Sequence, residues 1–209
     1  MYGVSKVAEF ALIASTRMPW TKAVVAVLPS DVVWEGWGPG ADNGDCPSFP
    51  RHGELLPYLP FSDLAGEFDG FRTNTPVIRR RPHDRGRAAN PDRVPAARIP
   101  VERFAGPLLL VAGAYDQLWN SGGMATNIAA ARNKHRAALP LITQTPITQT
   151  LIYPDATYLI SSDGWRPTTQ YNVSLYKAGG TPESNAHAQA DAWPKTFAFS
   201  KRYLGPLPR

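Results

Sequence analysis

The sequence predicts an α/β sandwich built on a mainly parallel sheet, and two observations carry that reading. Ala23–Leu28 and Pro107–Ala112 are continuous apolar runs of strand length with no polar alternation, the pattern of strands covered on both faces. Helix-length segments lie before, between and after the strand candidates, so the order runs helix, strand, excursion, strand, helix, strand, helix. With 209 residues, of which 43% are hydrophobic, the chain is expected to form one domain over residues 1–209.

The elements follow in order. Val4–Ser15 places Val7, Phe10, Ala11 and Ala14 at helical spacing, with Leu12 and Ile13 widening the stripe, and predicts a largely buried helix starting at or just after Ser5. Met18-Pro19 stops it, and the first buried strand, Ala23–Leu28, comes next. The second strand leads straight into Gly113-Ala114-Tyr115-Asp116, a strand-to-loop junction. A helix over Met124–Ala138 carries Met124, Ile128 and Ala131, and ends in basic residues that suit the dipole. Ile142–Thr150 is a tandem near-duplicate in which Pro146 bars a central strand, so it reads as a loop before a third strand, Thr150–Tyr153. Ser184–Tyr203 is a last helix with Ala188, Ala192, Trp193, Phe197 and Phe199 as its apolar face, a cap at Ser184 or Asn185, and a kink at Pro194.

Between the first two strands, residues 31–106 read as a long irregular excursion, because ten of the 21 prolines and nine of the 17 glycines fall there among few periodic segments. The net charge of +5 comes largely from Arg79, Arg80, Arg81, Arg85, Arg87, Arg93 and Arg98 in that stretch. Such a run suits a solvated loop, or contact with the phosphates of a nucleotide-bearing substrate such as coenzyme A. No aromatic-interleaved basic surface accompanies it, so no nucleic-acid partner is expected. A lone cysteine, Cys46, excludes an internal disulfide. No apolar run is long enough for a membrane span and no signal peptide precedes the first helix, which points to a cytoplasmic chain.

Gly3-Val4-Ser5-Lys6-Val7 stands just ahead of a helix, the context of a nucleophile elbow, G-x-S-x-G, with Val7 in place of the second glycine. By itself this Ser5 also reads as a simple N-cap. Asp116 reads either as an acid beside a catalytic base or as a loop-capping aspartate. His52, His83 and His135 match no motif, and no histidine pair has metal-ligand spacing with Cys46 or a carboxylate cluster, so neither metal nor cofactor is expected.

Four longer segments occur together. YGVSKVAEFALIAS with KAVVAVLPS, then IPVERFAGPLLLVAGAYDQLWNS, then LIYPDATYLI, then GGTPESNAHAQADAWPKTFAFSKRYL resemble, in order, the C-terminal catalytic portion of the acyl-CoA thioesterases and bile-acid-CoA:amino-acid N-acyltransferases. The resemblance implies a partial α/β-hydrolase fold, related to dienelactone hydrolases, with about three strands retained. It implies an acyl-CoA or related thioester or ester substrate, hydrolysed to free acid and CoA, and a place in fatty-acid metabolism. It assigns Ser5 as nucleophile, the backbone N–H of Lys6 to the oxyanion hole, and Asp116 as the acid. Ser5 favours thioester hydrolysis over amide synthesis, since the conjugating relatives and the dienelactone hydrolases use cysteine there.

The family's glycine-histidine pair falls on Thr157-Tyr158, so Tyr158 occupies the base position with a phenol whose reference pKa is near 10. His187, in the last shared segment, is the alternative base. Only Met1 and Tyr2 precede Gly3, so the resemblance implies an N-terminally truncated chain. The strand before the elbow and the second oxyanion donor are expected to be missing, leaving Ala23–Leu28 with an unpaired apolar edge. The alternative to a thioesterase is a catalytically inactive remnant or a homologue that binds ligand without turnover.

Overall fold

The structure, a computed structural model, describes residues 1–36, 48–51, 54–138, 148–160 and 175–205. Cys46, His52 and most of the Ile142–Thr150 near-duplicate lie outside the described residues. A four-stranded parallel sheet forms the centre, in the order β1 (Tyr2–Val4), β2 (Val24–Val27), β5 (Leu108–Gly113), β6 (Thr148–Tyr153). A short antiparallel hairpin, β3 (Pro50–Arg51) with β4 (Glu54–Leu55), lies apart from it.

The continuous apolar runs alternate in space although they do not alternate in chemistry. Val24, Ala26, Leu108, Leu110 and Ala112 face one cluster with Ala8 and Leu12 of helix α1 (Lys6–Ser15) and Ala125 and Ile128 of helix α6 (Ser121–Ala137). Val25, Val27, Leu109 and Val111 face the opposite cluster, covered by Ala188, Ala192 and Phe199 of helix α7 (Pro182–Leu204). Both faces are therefore sealed, which is why no polar residue interrupts either strand.

Tyr2–Val4 corrects the expectation that the strand before the elbow would be absent. These residues pair in parallel with Val25–Val27, and the Ser5 N–H donates to the Val27 carbonyl at 2.8 Å. The β2 strand is thus paired on both sides, and the sheet has four strands rather than about three. A three-residue strand with glycine at its centre carries too little pattern to be read from sequence.

The excursion is less irregular than expected. It contains helices α2 (Leu64–Phe68), α3 (Gly70–Thr73), α4 (Arg80–Ala89) and α5 (Val94–Ala97). The arginine stretch is mostly α4, not a solvated loop. Pro82 falls in the first turn, where proline lacks no required hydrogen bond, and Arg80–Asp84 pairs along one face at 3.0 Å. Arg87 forks onto Asp31 at 2.9 and 2.7 Å, Arg98 onto Glu102, and Arg85 onto the Ser62 carbonyl, so these cations tie parts of the excursion to one another.

Two helix faces also differ from their predicted stripes. In α1 Val7 and Phe10 are exposed, while Ala8, Glu9, Leu12 and Ser15 are buried. In α7 Trp193 and Phe197 are exposed, and Ala188, Ala192 and Phe199 with the polar Asn185, Gln189 and Thr196 are buried. Buried polar side chains with specific partners displaced the apolar residues from the sequence-derived face. The α7 cap is Thr181, which forms a reciprocal capping box with Ser184, and Pro194 lies within the helix. Among the described residues no helix is long and apolar enough to cross a membrane.

Candidate active site

Ser5 stands between β1 and α1 at φ 57°, ψ −121°, a region that costs a non-glycine residue strain. The bend is held by the Val27 carbonyl on its N–H and by the first turn of α1, whose Glu9 N–H donates to the Ser5 carbonyl at 3.0 Å. Ser5 makes no side-chain capping bond, so the simple N-cap reading is not realised. Gly3 is required, because a Cβ there would overlap the Val7 carbonyl. Val7 itself is 58% exposed, so its branched side chain points away from the crowded turn and replaces glycine without a clash.

Behind the bend, Glu9 is fully buried and accepts Lys6 Nζ at 2.9 and 3.1 Å and the Trp34 N–H at 3.1 Å. Burial pushes its carboxyl up to about 7, against the opposing pull of the Lys6 ammonium. The pair ties the start of α1 to the excursion.

Asp116 follows β5 and is completely buried. Its Oδ1 accepts the N–H groups of Leu118 at 2.9 Å and Trp119 at 3.4 Å, and Oδ2 accepts Ser121 Oγ at 2.7 Å. Desolvation pushes it up to about 7, with these hydrogen bonds and Arg80 acting the other way. The carboxylate shapes the loop before α6, as a capping aspartate does, and none of these partners is a candidate base.

The Tyr158 loop is locked beside the Asp116 loop. Gly113 is so close to the Ala156 carbonyl that a Cβ would overlap it, and the Tyr115 N–H donates to the same carbonyl at 3.1 Å. Asn185 of α7 accepts from the Thr157 N–H at 2.9 Å and hydroxyl at 3.1 Å. Ser5, the Asp116 loop and Tyr158 therefore all lie at the C-terminal ends of parallel strands, the edge where such sheets place ligands.

A cavity of about 160 Å³ opens at this edge, lined by Ser5, Lys6, Tyr158, Leu118 and Trp119, with Phe61, Arg79 and His83 from the excursion. Ser5 and Tyr158 share its wall; Asp116 lies under it through Leu118 and Trp119. His187 is exposed on α7 and is not among the lining residues. His83, which matched no motif, is buried in the wall. Its ring sits among Trp34 at 4.8 Å, Phe61 at 4.6 Å and Trp119 at 5.9 Å, and Nδ1 is 2.8 Å from the Arg79 carbonyl. Burial, with Arg79 and Lys6 nearby, pulls the imidazole down to about 3, so it is neutral across the physiological range. A histidine inside a polar, proline-containing stretch gives no periodic signal, and only the buried position marks it.

A strained serine at a strand-to-helix bend, on the ligand edge of a parallel sheet covered by helices on both faces, defines a protein of the α/β-hydrolase class. Residues 1–206 match the family described as BAAT / acyl-CoA thioester hydrolase C terminal, and the chain belongs to that family. No curated protein matches the chain.

Proposed function

We propose that this protein is a serine hydrolase acting on acyl-CoA thioesters, releasing free acid and CoA. Ser5 is the nucleophile, the Lys6 backbone N–H faces the oxyanion, and Asp116 is the acid of the catalytic set, with Tyr158 in the place where the family carries histidine. The observation that carries the reading is the bend at Ser5. Its positive φ turns the hydroxyl out of the helix cap and into a cavity whose rim holds Lys6 and Arg79. These cations favour the negative charge that develops on the thioester oxygen and the anionic CoA moiety. Backbone N–H groups at the start of α1 have no carbonyl behind them within the helix, so they are available to the same oxygen.

The test is release of CoA thiol from acyl-CoA, read with a thiol reagent, together with the intact mass of the acylated protein. Ser5→Ala should reduce release at least a hundred-fold and abolish the adduct. Adding glycine or taurine should yield no amide product; amide formation would favour the conjugating reading instead. A second reading, ligand binding without turnover, is favoured by the phenol at Tyr158 and by Asp116 having Ser121, Leu118 and Trp119 as its partners. Saturable acyl-CoA binding with no thiol release would select it.

A further inference from the structure

We propose that His83, donated by the excursion, is the general base for Ser5, through Nε2. The proposal rests on Ser5 as nucleophile.

A carbonyl oxygen only accepts, so the 2.8 Å contact between His83 Nδ1 and the Arg79 carbonyl fixes the proton on Nδ1 and leaves the lone pair on Nε2. That contact orients the ring as a carboxylate orients the base in a catalytic triad, so the Arg79 carbonyl takes the orienting role that the family gives its acid, and Asp116 is left to shape the loop below the cavity. The Arg79 carbonyl engages Nδ1, the other ring nitrogen, and His83 lines the cavity that Ser5 lines. The three aromatic rings around it allow little rotation. Ser5 and His83 line one cavity of about 160 Å³, and a general base acts on a hydroxyl directly or through one water.

The step balances. The Ser5 Oγ–H proton passes to His83 Nε2 as Oγ bonds to the thioester carbonyl carbon. The C–S bond then breaks, and the imidazolium returns the proton to the departing thiolate. Water attacks the acyl-serine, giving a proton to Nε2, which passes it back to Oγ as the acid leaves. The imidazolium is transient and disfavoured by its surroundings, where Lys6 from α1, itself paired with Glu9, and Arg79 from the start of α4 contribute positive charge and Tyr158 faces the same cavity. A modest rate, insensitive to pH near neutrality, is the consequence.

The experiment follows labelling of Ser5 by a fluorophosphonate, alongside thiol release from acyl-CoA, in the wild type, His83→Gln, Tyr158→Phe and His187→Gln. Labelling at Ser5 in the wild type, reduced at least thirty-fold in His83→Gln and unchanged in His187→Gln, supports the proposal. Labelling retained in His83→Gln but lost in Tyr158→Phe overturns it while leaving the nucleophile assignment intact. No labelling of Ser5 in the folded wild type sinks the nucleophile, and the base with it. If His83→Gln fails to fold, the nitrogen spectrum of the wild-type histidines decides. The His83 Nε2 resonance should move when Ser5 is phosphonylated, and an unmoved resonance overturns the proposal.

Discussion

At the scale of single residues, the site depends on one strained serine and on where buried polar groups find partners. Ser5 holds a positive φ because the Val27 carbonyl and the first turn of α1 fix it from both sides. Tyr158 lines the same cavity with a phenol. Tyr158→His introduces a near-neutral base above the Asp116 loop and should raise acyl-CoA hydrolysis at least ten-fold, measured as thiol release. Val7→Gly restores the elbow glycine, yet the Val7 side chain already points to solvent. That variant should leave hydrolysis within about two-fold and lower stability by roughly 0.5–1 kcal/mol, the cost of glycine in a helix, read from chemical denaturation.

At the scale of elements, the ends of β5 and β6 and the start of α7 act as one unit. Gly113 admits the Ala156 carbonyl, and Asn185 clamps Thr157, so the two loops approach only with no side chain at 113 and an amide at 185. Gly113→Ala should destabilise the fold by about 1–3 kcal/mol, the usual scale of overpacking, and should also slow Ser5 labelling because both loops shift. Arg132 joins α6 to the segment ahead of β5. It donates to the carbonyls of Val101 at 3.0 Å, Phe104 at 2.6 Å and Gly106 at 2.8 Å, and to Thr148 Oγ1 at 2.8 Å. Burial lowers the guanidinium to about 10, so it remains charged, held by carbonyl dipoles. Arg132→Met leaves those acceptors buried without donors and should cost about 2–4 kcal/mol of unfolding free energy in a denaturant titration.

For the whole molecule, the buried titratable groups oppose one another with pH. Asp116 is raised from an ordinary carboxyl value to about 7, so its contribution is fully present below about pH 4 and is lost as pH rises through 7. His83 is lowered to about 3, so its contribution is present above about 6.5 and is lost as pH falls toward 3. Each acts with a slope approaching about 1.4 kcal/mol per pH unit within its window. Asp116→Asn should therefore lose less melting temperature than the wild type between pH 5 and pH 8. An equal loss in both would show that the carboxyl does not titrate on folding.

The sequence by itself determined the layered α/β architecture, because Ala23–Leu28 and Pro107–Ala112 must be hidden on both faces and the helical segments before and after them supply the cover. It also placed Ser5 before a helix and Asp116 after a strand, since local turn chemistry sits in contiguous residues. Only the tertiary structure decided the rest. Tyr2–Val4 becomes a strand through the partner it meets, Val25–Val27, and not through its own pattern. Glu9 and His83 enter the site region because burial is a property of what packs over a residue, and their partners Trp34 and Arg79 are positioned by the folded excursion rather than by any periodic signal. The strands carry their instructions in hydrophobicity, which is local; the cavity is set by contacts between segments far apart in the chain.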